Sequence, residues 1–305
     1  MSLHVSLRPF AAFASAAILV VSACAQTGVA SSGALPEIPF ANLSDRNLTA
    51  LGTSALAIRQ NEWKHAETAN FVYHFFQSFV AGPVAQEAEY YYRVTASEMD
   101  KETAQWERKC HVFIFEKPED WRAFQGRASL DPWTGGICAG SELFIVRDPS
   151  YKWKGNTLGH EVAHLVANRF FGSGLPLWVR EGHAEYAASR GYAAFHRLRG
   201  YRARPRAQAV NRARFIAVAQ LTSAVSYPTD PAQVEVFYDE SERLVRFLSA
   251  ASKQGFARFF DALSKGNQFE TALNKGFAGR FINLDALERE FKDYATKEHG
   301  TALQD

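Results

Sequence analysis

GHEVAH, residues 159–164, is the stretch that decides how the rest of this chain is interpreted. His160 and His164 stand four positions apart among apolar and small residues, a pattern typical of an α-helix. Residues four apart lie on the same face of a helix, so both imidazoles can bind one metal ion. Glu161 lies about 100° further round the helix, beside the metal, where a general base belongs. An ordinary helix that carries this pattern by chance is the alternative.

A catalytic zinc ion takes three protein ligands and keeps a fourth position for water. One class of zinc site spaces its third ligand as HExxHxxGxxH, but this chain has Ala167 and Phe170 at those positions, which excludes that class. The next segment, LPLWVREGHAEYAA at residues 175–188, has an amphipathic pattern and a proline near its start. We therefore expect a second helix from about Pro176. It contains three candidate ligands: Glu181, His183 and Glu185.

Spacing separates these three candidates. Glu181 and Glu185 share one helix face with Trp178, whereas His183 points elsewhere. Glu181 is therefore our candidate for the third ligand. Two carboxylates four residues apart are also a common feature of a solvated helix face, and this alternative stays open. Gly182 favours the functional interpretation, because it would allow another helix to approach closely.

The two segments together resemble the gluzincin metallopeptidases, in which HExxH on one helix is followed by a glutamate ligand on the next. PLWVREGHAEY, residues 176–186, is similar to the signature around that glutamate in the aminopeptidase-N-like branch and in bacterial peptidase-MA-like domains. The resemblance implies that His160, His164 and Glu181 bind one Zn²⁺ ion and that Glu161 is catalytic. The gap of sixteen residues between His164 and Glu181 is shorter than in the aminopeptidase-N-like branch, which a shorter helix connection would explain.

The resemblance also implies two further site residues. In thermolysin-like gluzincins a carboxylate four residues after the glutamate ligand orients a zinc histidine, and Glu185 stands at that position. A ligating histidine usually donates its other N–H to such a group. In aminopeptidase-N-like enzymes a tyrosine at a helix start stabilises the oxyanion, and FYDESERLVRFL, residues 237–248, resembles that layout. Tyr238 would then be catalytic, and packing in the core is the alternative.

The first 26 residues predict an export signal. They begin with basic residues, continue with a short apolar stretch and end with small residues: MSLHVSLRPFAAFASAAILVVSACAQ. VSAC, residues 21–24, resembles a bacterial lipobox, so we expect removal of residues 1–23 and lipidation of Cys24, which would anchor the protein to a membrane. Ala25 resembles the sorting pattern of outer-membrane lipoproteins that face the periplasm. A soluble protein released by cleavage near Ala25 is the alternative.

Composition and charge narrow the function classes. A hydrophobic content of 47% and an aromatic content of 13% are sufficient for a buried core. A net charge of +2 with a pI near 8.4 gives no indication of nucleic-acid binding. No stretch after the signal is long and apolar enough to span a membrane. Cys110 and Cys138 lie in strand-like runs and predict a disulfide in an oxidising envelope, with two buried thiols as the alternative.

The order of the segments predicts an α+β fold: a zincin-like catalytic domain, with a small mixed sheet and the HExxH helix, followed by a helical C-terminal part. Residues 139–147 are the candidate edge strand that would pair with an extended peptide, and an interior strand is the alternative. We expect a lipoprotein signal peptide at 1–23, a tether at 24–65, the catalytic domain at 66–190, and a helical part at 191–305 that completes the active site.

These features predict a zinc-dependent metallopeptidase that hydrolyses peptide bonds at the bacterial cell envelope. Endopeptidase action is favoured over aminopeptidase action. The stretch with which the family binds a free amino terminus is not present as such, and AGSEL, residues 139–143, is only weakly similar to it. The expected partners are a peptide or protein substrate and the membrane, and no nucleic acid. Two alternatives stay open: an inactive peptidase-like binding or assembly lipoprotein, and a zinc amidase that acts on peptidoglycan.

Overall fold

The computed structural model describes residues 35–102, 108–132, 134–147, 156–200 and 216–302. Five strands in this part of the chain form one mixed sheet in the order β1–β2–β3–β5–β4. Strands β2, β3 and β5 run parallel, and the two outer strands pair antiparallel with their neighbours. The strands are β1 (Lys64–Glu67), β2 (Phe71–Phe75), β3 (Cys110–Phe115), β4 (Gly136–Ala139) and β5 (Glu142–Val146).

Helices make up most of the remaining described structure, and they dominate after the sheet. This arrangement confirms the predicted α+β fold class with a helical C-terminal part. The helices are α1 (Ala50–Leu56), α2 (Ser78–Glu98), α3 (Pro118–Ala128), α4 (Thr157–Phe171), α5 (Leu177–Leu198), α6 (Val218–Thr222), α7 (Pro231–Ala251), α8 (Lys253–Ser264), α9 (Phe269–Phe277) and α10 (Leu284–Ala302).

The inner strands are buried on both faces, which explains their continuous apolar runs. On one face, residues such as Tyr73 and Val112 pack with Val162 of α4 and with α2. On the other face, Phe113 and Phe144 stack at a centroid distance of 4.7 Å and pack with α3. The sheet therefore supports α4 directly.

Helix α4 also belongs to a second core, formed mainly by the C-terminal helices. Ala167 and Phe171 of α4 pack there with Trp178 of α5 and with Phe260 of α8. Helix α5 runs without a break from Leu177 to Leu198, so the predicted domain boundary at residue 190 falls inside one helix. The helices that carry the candidate metal ligands thus connect the sheet to the helical part.

The predicted tether at 24–65 is wrong for residues 35–65, which pack on the sheet. Leu43 and Ala55 are buried, and the backbone N–H of Thr49 donates a hydrogen bond of 2.6 Å to the carboxylate of Glu142 on β5. The buried residues of this segment are separated by polar residues. The buried carboxylate of Glu142 needs hydrogen-bond donors such as the N–H of Thr49. Cys24 lies outside the described residues. No helix in the described ranges combines the length and apolarity needed to cross a membrane.

Strand order also corrects two predictions about the sheet. Strand β5, within the predicted edge segment 139–147, is interior, and the edge is formed by β4, a short strand that contains glycine. Cys110 and Cys138 are free thiols rather than a disulfide. They lie on β3 and β4 with β5 between them, so their backbones are about 10 Å apart, twice the usual strand spacing and too far for a disulfide.

Three histidines form a buried row across β1, β2 and β3. Nδ1 of His65 lies 2.8 Å from Nδ1 of His74, and Nε2 of His74 lies 3.0 Å from Nδ1 of His111. Phe40 covers one end, with its ring centroid 5.2 Å from that of His65. Burial lowers the pKa of His65 to about 4 and lowers the pKa values of His74 and His111 as well. The row is therefore uncharged at neutral pH.

We expect the folded protein to lose stability as the pH falls from 6.5 towards 4. In this window the unfolded chain binds protons on these histidines and the folded chain does not. At about 1.4 kcal/mol per pKa unit, His65 alone accounts for about 3 kcal/mol of this loss. Urea unfolding of the metal-free protein at pH 7.5 and at pH 4.5 measures the effect.

The variant His65→Phe keeps an aromatic ring at this position and removes one titrating group. Its free energy of unfolding should fall less between the two pH values than that of the wild type. The metal site is the same in both proteins, so the difference isolates His65. An equal fall in both proteins would contradict the assignment.

Candidate metal centre

Helices α4 and α5 lie side by side and bring the three predicted ligands together. The ligand atoms of His160, His164 and Glu181 all lie within 4.8 Å of one another. The two Nε2 atoms of the histidines are 3.0 Å apart, and Oε2 of Glu181 is 3.4 Å from Nε2 of His160 and 3.3 Å from Nε2 of His164. Two imidazole nitrogens and one carboxylate oxygen thus converge on one point.

These separations fit a zinc ion. Ligand atoms that surround zinc tetrahedrally at 2.0–2.1 Å lie about 3.4 Å apart, close to the 3.0–3.4 Å found between the three atoms. Burial raises the pKa of Glu181, but its contacts with His160 and His164 outweigh this and hold the pKa far below its ordinary value. The carboxylate is therefore ionised, as a metal ligand must be.

Glu161 faces the edge of the sheet rather than the cluster of ligand atoms. A Cβ atom added to Gly136 of β4 would lie 3.0 Å from Oε1 of Glu161 and 2.8 Å from Cγ2 of Thr157. Only glycine allows strand and helix to come so close. Burial raises the pKa of Glu161, while the two neighbouring histidines lower it in part. The predicted general base thus lies between the ligand cluster and β4.

Glu185 and His183 lie on different sides of α5, as their spacing predicts. Oε1 of Glu185 is 3.1 Å from Nδ1 of His160, so Glu185 can fix the orientation of that ring. His183 is buried away from the cluster, with its ring centroid 5.0 Å from that of Phe260. Burial lowers the pKa of His183 to about 3. His183 is therefore a core residue.

Tyr238 reaches the cluster from α7, with its ring centroid 6.3 Å from that of His160. The resemblance implied a tyrosine at the start of a helix. This helix begins at Pro231, however, so Tyr238 lies two turns inside it. Gly182 of α5 brings α7 close, because a Cβ atom there would lie 2.3 Å from the carbonyl oxygen of Ser241. This contact confirms the expectation that Gly182 allows a close helix approach.

Two residues that the sequence did not indicate complete the surroundings of Glu181. The hydroxyl of Tyr227 donates a hydrogen bond of 2.8 Å to Oε1 of Glu181, and Nε of Arg180 donates one of 3.2 Å to the same oxygen. Tyr227 lies in the loop between α6 and α7, where no periodic pattern marks its position. Arg180 precedes the glutamate directly, but adjacency on a helix does not predict a contact.

Residues 96–296 match the family model for the Peptidase MA superfamily. This range contains α4, α5 and α7, and so it includes every residue of the metal centre described above. No curated protein matches the chain.

The ligand assignment predicts different effects for two neighbouring residues of α5. Glu181→Ala should weaken zinc binding strongly, because it removes one of the three ligand atoms, whereas His183→Ala should leave it nearly unchanged. Zinc affinity can be measured by competition with a chromogenic chelator. His183→Ala also serves as the control for damage to α5. An equal loss of zinc affinity in both variants would refute the choice of Glu181.

Proposed function

This chain belongs to the Peptidase MA superfamily, and on that premise we propose that it is a zinc-dependent endopeptidase. The observation that carries the proposal is the convergence of His160, His164 and Glu181 within 4.8 Å, with Glu161 between them and the edge strand. Zinc held there would act as a Lewis acid and lower the pKa of a water molecule towards about 7.

Glu161 would serve as the general base and then as the general acid. It takes a proton from the water whose oxygen attacks the peptide carbonyl carbon, and it passes this proton to the nitrogen as the C–N bond breaks. Burial, which raises the pKa of Glu161, brings it closer to neutral pH and suits both steps. The reaction consumes one water molecule and yields a carboxylate and a protonated amine, so that both protons of the water end on the nitrogen.

The edge strand β4 would align the substrate. One side of β4 pairs with β5, and the other side is free of a sheet partner among the described strands. An extended peptide could add there as a further strand, held by main-chain hydrogen bonds. Gly136 lies on β4 against Glu161, so a peptide on this edge would run past the general base. A substrate that extends in both directions along β4 favours endopeptidase action.

Tyr238 would donate its hydroxyl hydrogen to the oxyanion that forms when the carbonyl is attacked. Donors placed in advance at such a charge are among the largest contributions to catalysis. Its position on α7, packed against α5 near His160, supports this role. Burial raises the pKa of Tyr238, so the hydroxyl keeps its proton at neutral pH.

We propose the outer membrane, on its periplasmic side, as the location of this activity. The proposal rests on the signal at residues 1–23 and on VSAC, which ends at Cys24. Fractionation of cells that produce the protein would test it. Wild type should be recovered with the membranes, and Cys24→Ser should not be lipidated and should be lost from them. Equal membrane recovery of both proteins would contradict the anchor.

The central test combines zinc content with cleavage of denatured casein. Wild type should contain one zinc ion and cleave casein, and Glu161→Gln should retain zinc and lose cleavage by about 100-fold or more, since it keeps the shape of the side chain without the base. Glu119→Gln, an exposed change on α3, is the matched control and should behave like wild type. Wild type without zinc, or full cleavage by Glu161→Gln, would overturn the proposal.

A further inference from the structure

We propose that Tyr227 is a positioning residue of the metal centre, which holds Glu181 so that only one of its oxygens faces the metal. The inference rests on the zinc site of the proposed function and extends it to a residue outside the HExxH and glutamate signatures. It starts from the hydrogen bond of 2.8 Å from the Tyr227 hydroxyl to Oε1 of Glu181.

The two oxygens of Glu181 have separate surroundings. Oε2 lies 3.4 Å and 3.3 Å from the Nε2 atoms of His160 and His164, whereas Oε1 accepts hydrogen bonds from Tyr227 and Arg180. A carboxylate that bound zinc through both oxygens would have to turn Oε1 away from these donors. Glu181 is therefore prepared to bind through Oε2 alone, which leaves the fourth zinc position open for water.

The hydroxyl of Tyr227 has one hydrogen to donate, and this hydrogen goes to Oε1 of Glu181. Tyr227 therefore has no hydrogen left for Tyr238, and the contact between these two tyrosines is made by their rings.

Ring contacts fix Tyr227 in this position although it belongs to a loop. Its ring stacks on that of Tyr238, with centroids 5.9 Å apart and planes 25° apart, and meets Phe237 edge-on at 6.0 Å. Both partners are on α7, so the loop residue is held by a rigid helix. Tyr227 is still 41% exposed, which places it at the surface of the site.

The test replaces only the hydroxyl. Tyr227→Phe keeps the ring and its stacking, and Arg180 still donates to Oε1 of Glu181, so the zinc-free protein should keep its fold with a small loss of thermal stability. Its zinc affinity should fall about 10–100-fold, as is typical when a partner of a metal ligand is removed. Tyr186→Phe is the matched control, because Tyr186 lies on α5, the helix that carries Glu181, and its hydroxyl donates to Ser249, 3.2 Å away. Its zinc affinity should equal that of wild type.

Casein cleavage by the zinc-saturated proteins tests whether the Tyr227 hydroxyl acts through Glu181. Tyr227→Phe should lower kcat with little change in KM, and its cost should add to that of Tyr238→Phe, since the ring contact between the two tyrosines is kept. Tyr238→Phe alone should leave zinc affinity within about threefold of wild type, because its hydroxyl does not contact Glu181 directly.

The outcomes separate this proposal from the proposed function. Zinc affinity in Tyr227→Phe equal to that of wild type overturns the role of Tyr227, even if wild type cleaves casein. Weaker zinc binding in Tyr227→Phe supports the role, even if wild type cleaves nothing and the peptidase assignment fails. Non-additive costs of the two tyrosine changes overturn the claim that the Tyr227 hydroxyl acts through Glu181. A wild type that binds no zinc overturns both proposals.

Discussion

The structure depends most on the burial of one carboxylate, Glu181, at the contact between α4 and α5. Its side chain is 3% exposed, and burying a charge is costly unless the charge is paired and hydrogen-bonded. Each of its oxygens meets this requirement differently: Oε2 faces two imidazoles on α4, and Oε1 accepts from Arg180 and from a loop tyrosine. A metal ion at the three converging atoms would supply further positive charge. The hydrogen bonds and charge pairs of this one carboxylate thus connect α4, α5 and the loop that precedes α7.

The position of the site between two cores explains how it can be both rigid and accessible. One face of α4 packs on the sheet and its C-terminal end packs among the helices, so the helix is held from both sides. Edge strand β4 borders Glu161, and α7 borders the ligand cluster at the close contact of Gly182 with Ser241. Glu161 is thus held between this strand and the ligand cluster. Such support by packed elements is what a site needs to keep its geometry.

Local patterns predicted the elements but not their neighbours. The strand-like run at Cys110 is β3, and the HEVAH and LPLWVREGHAEYAA segments are helices, because the apolar pattern of a segment reflects its own burial. The tether prediction failed for residues 35–65 because their few buried side chains, such as that of Leu43, are not spaced with the period of a helix or a strand. The edge-strand and disulfide predictions failed for another reason: both depend on the order of strands in the sheet, and GICA at β4 is too short to be recognised from sequence.

The sequence by itself determined which residues form the candidate metal centre. The spacing of four between His160 and His164 fixes a shared helix face, and the same rule separates Glu181 and Glu185 from His183, because helix geometry is local. Only the tertiary structure decided which groups surround these residues. Tyr227 lies 46 residues from Glu181, Gly136 lies on a strand that precedes the HEVAH helix, and β5 lies between the two cysteines. Such contacts arise when separate elements pack together. The periodicity within one segment does not predict which side chain of another segment will lie against it.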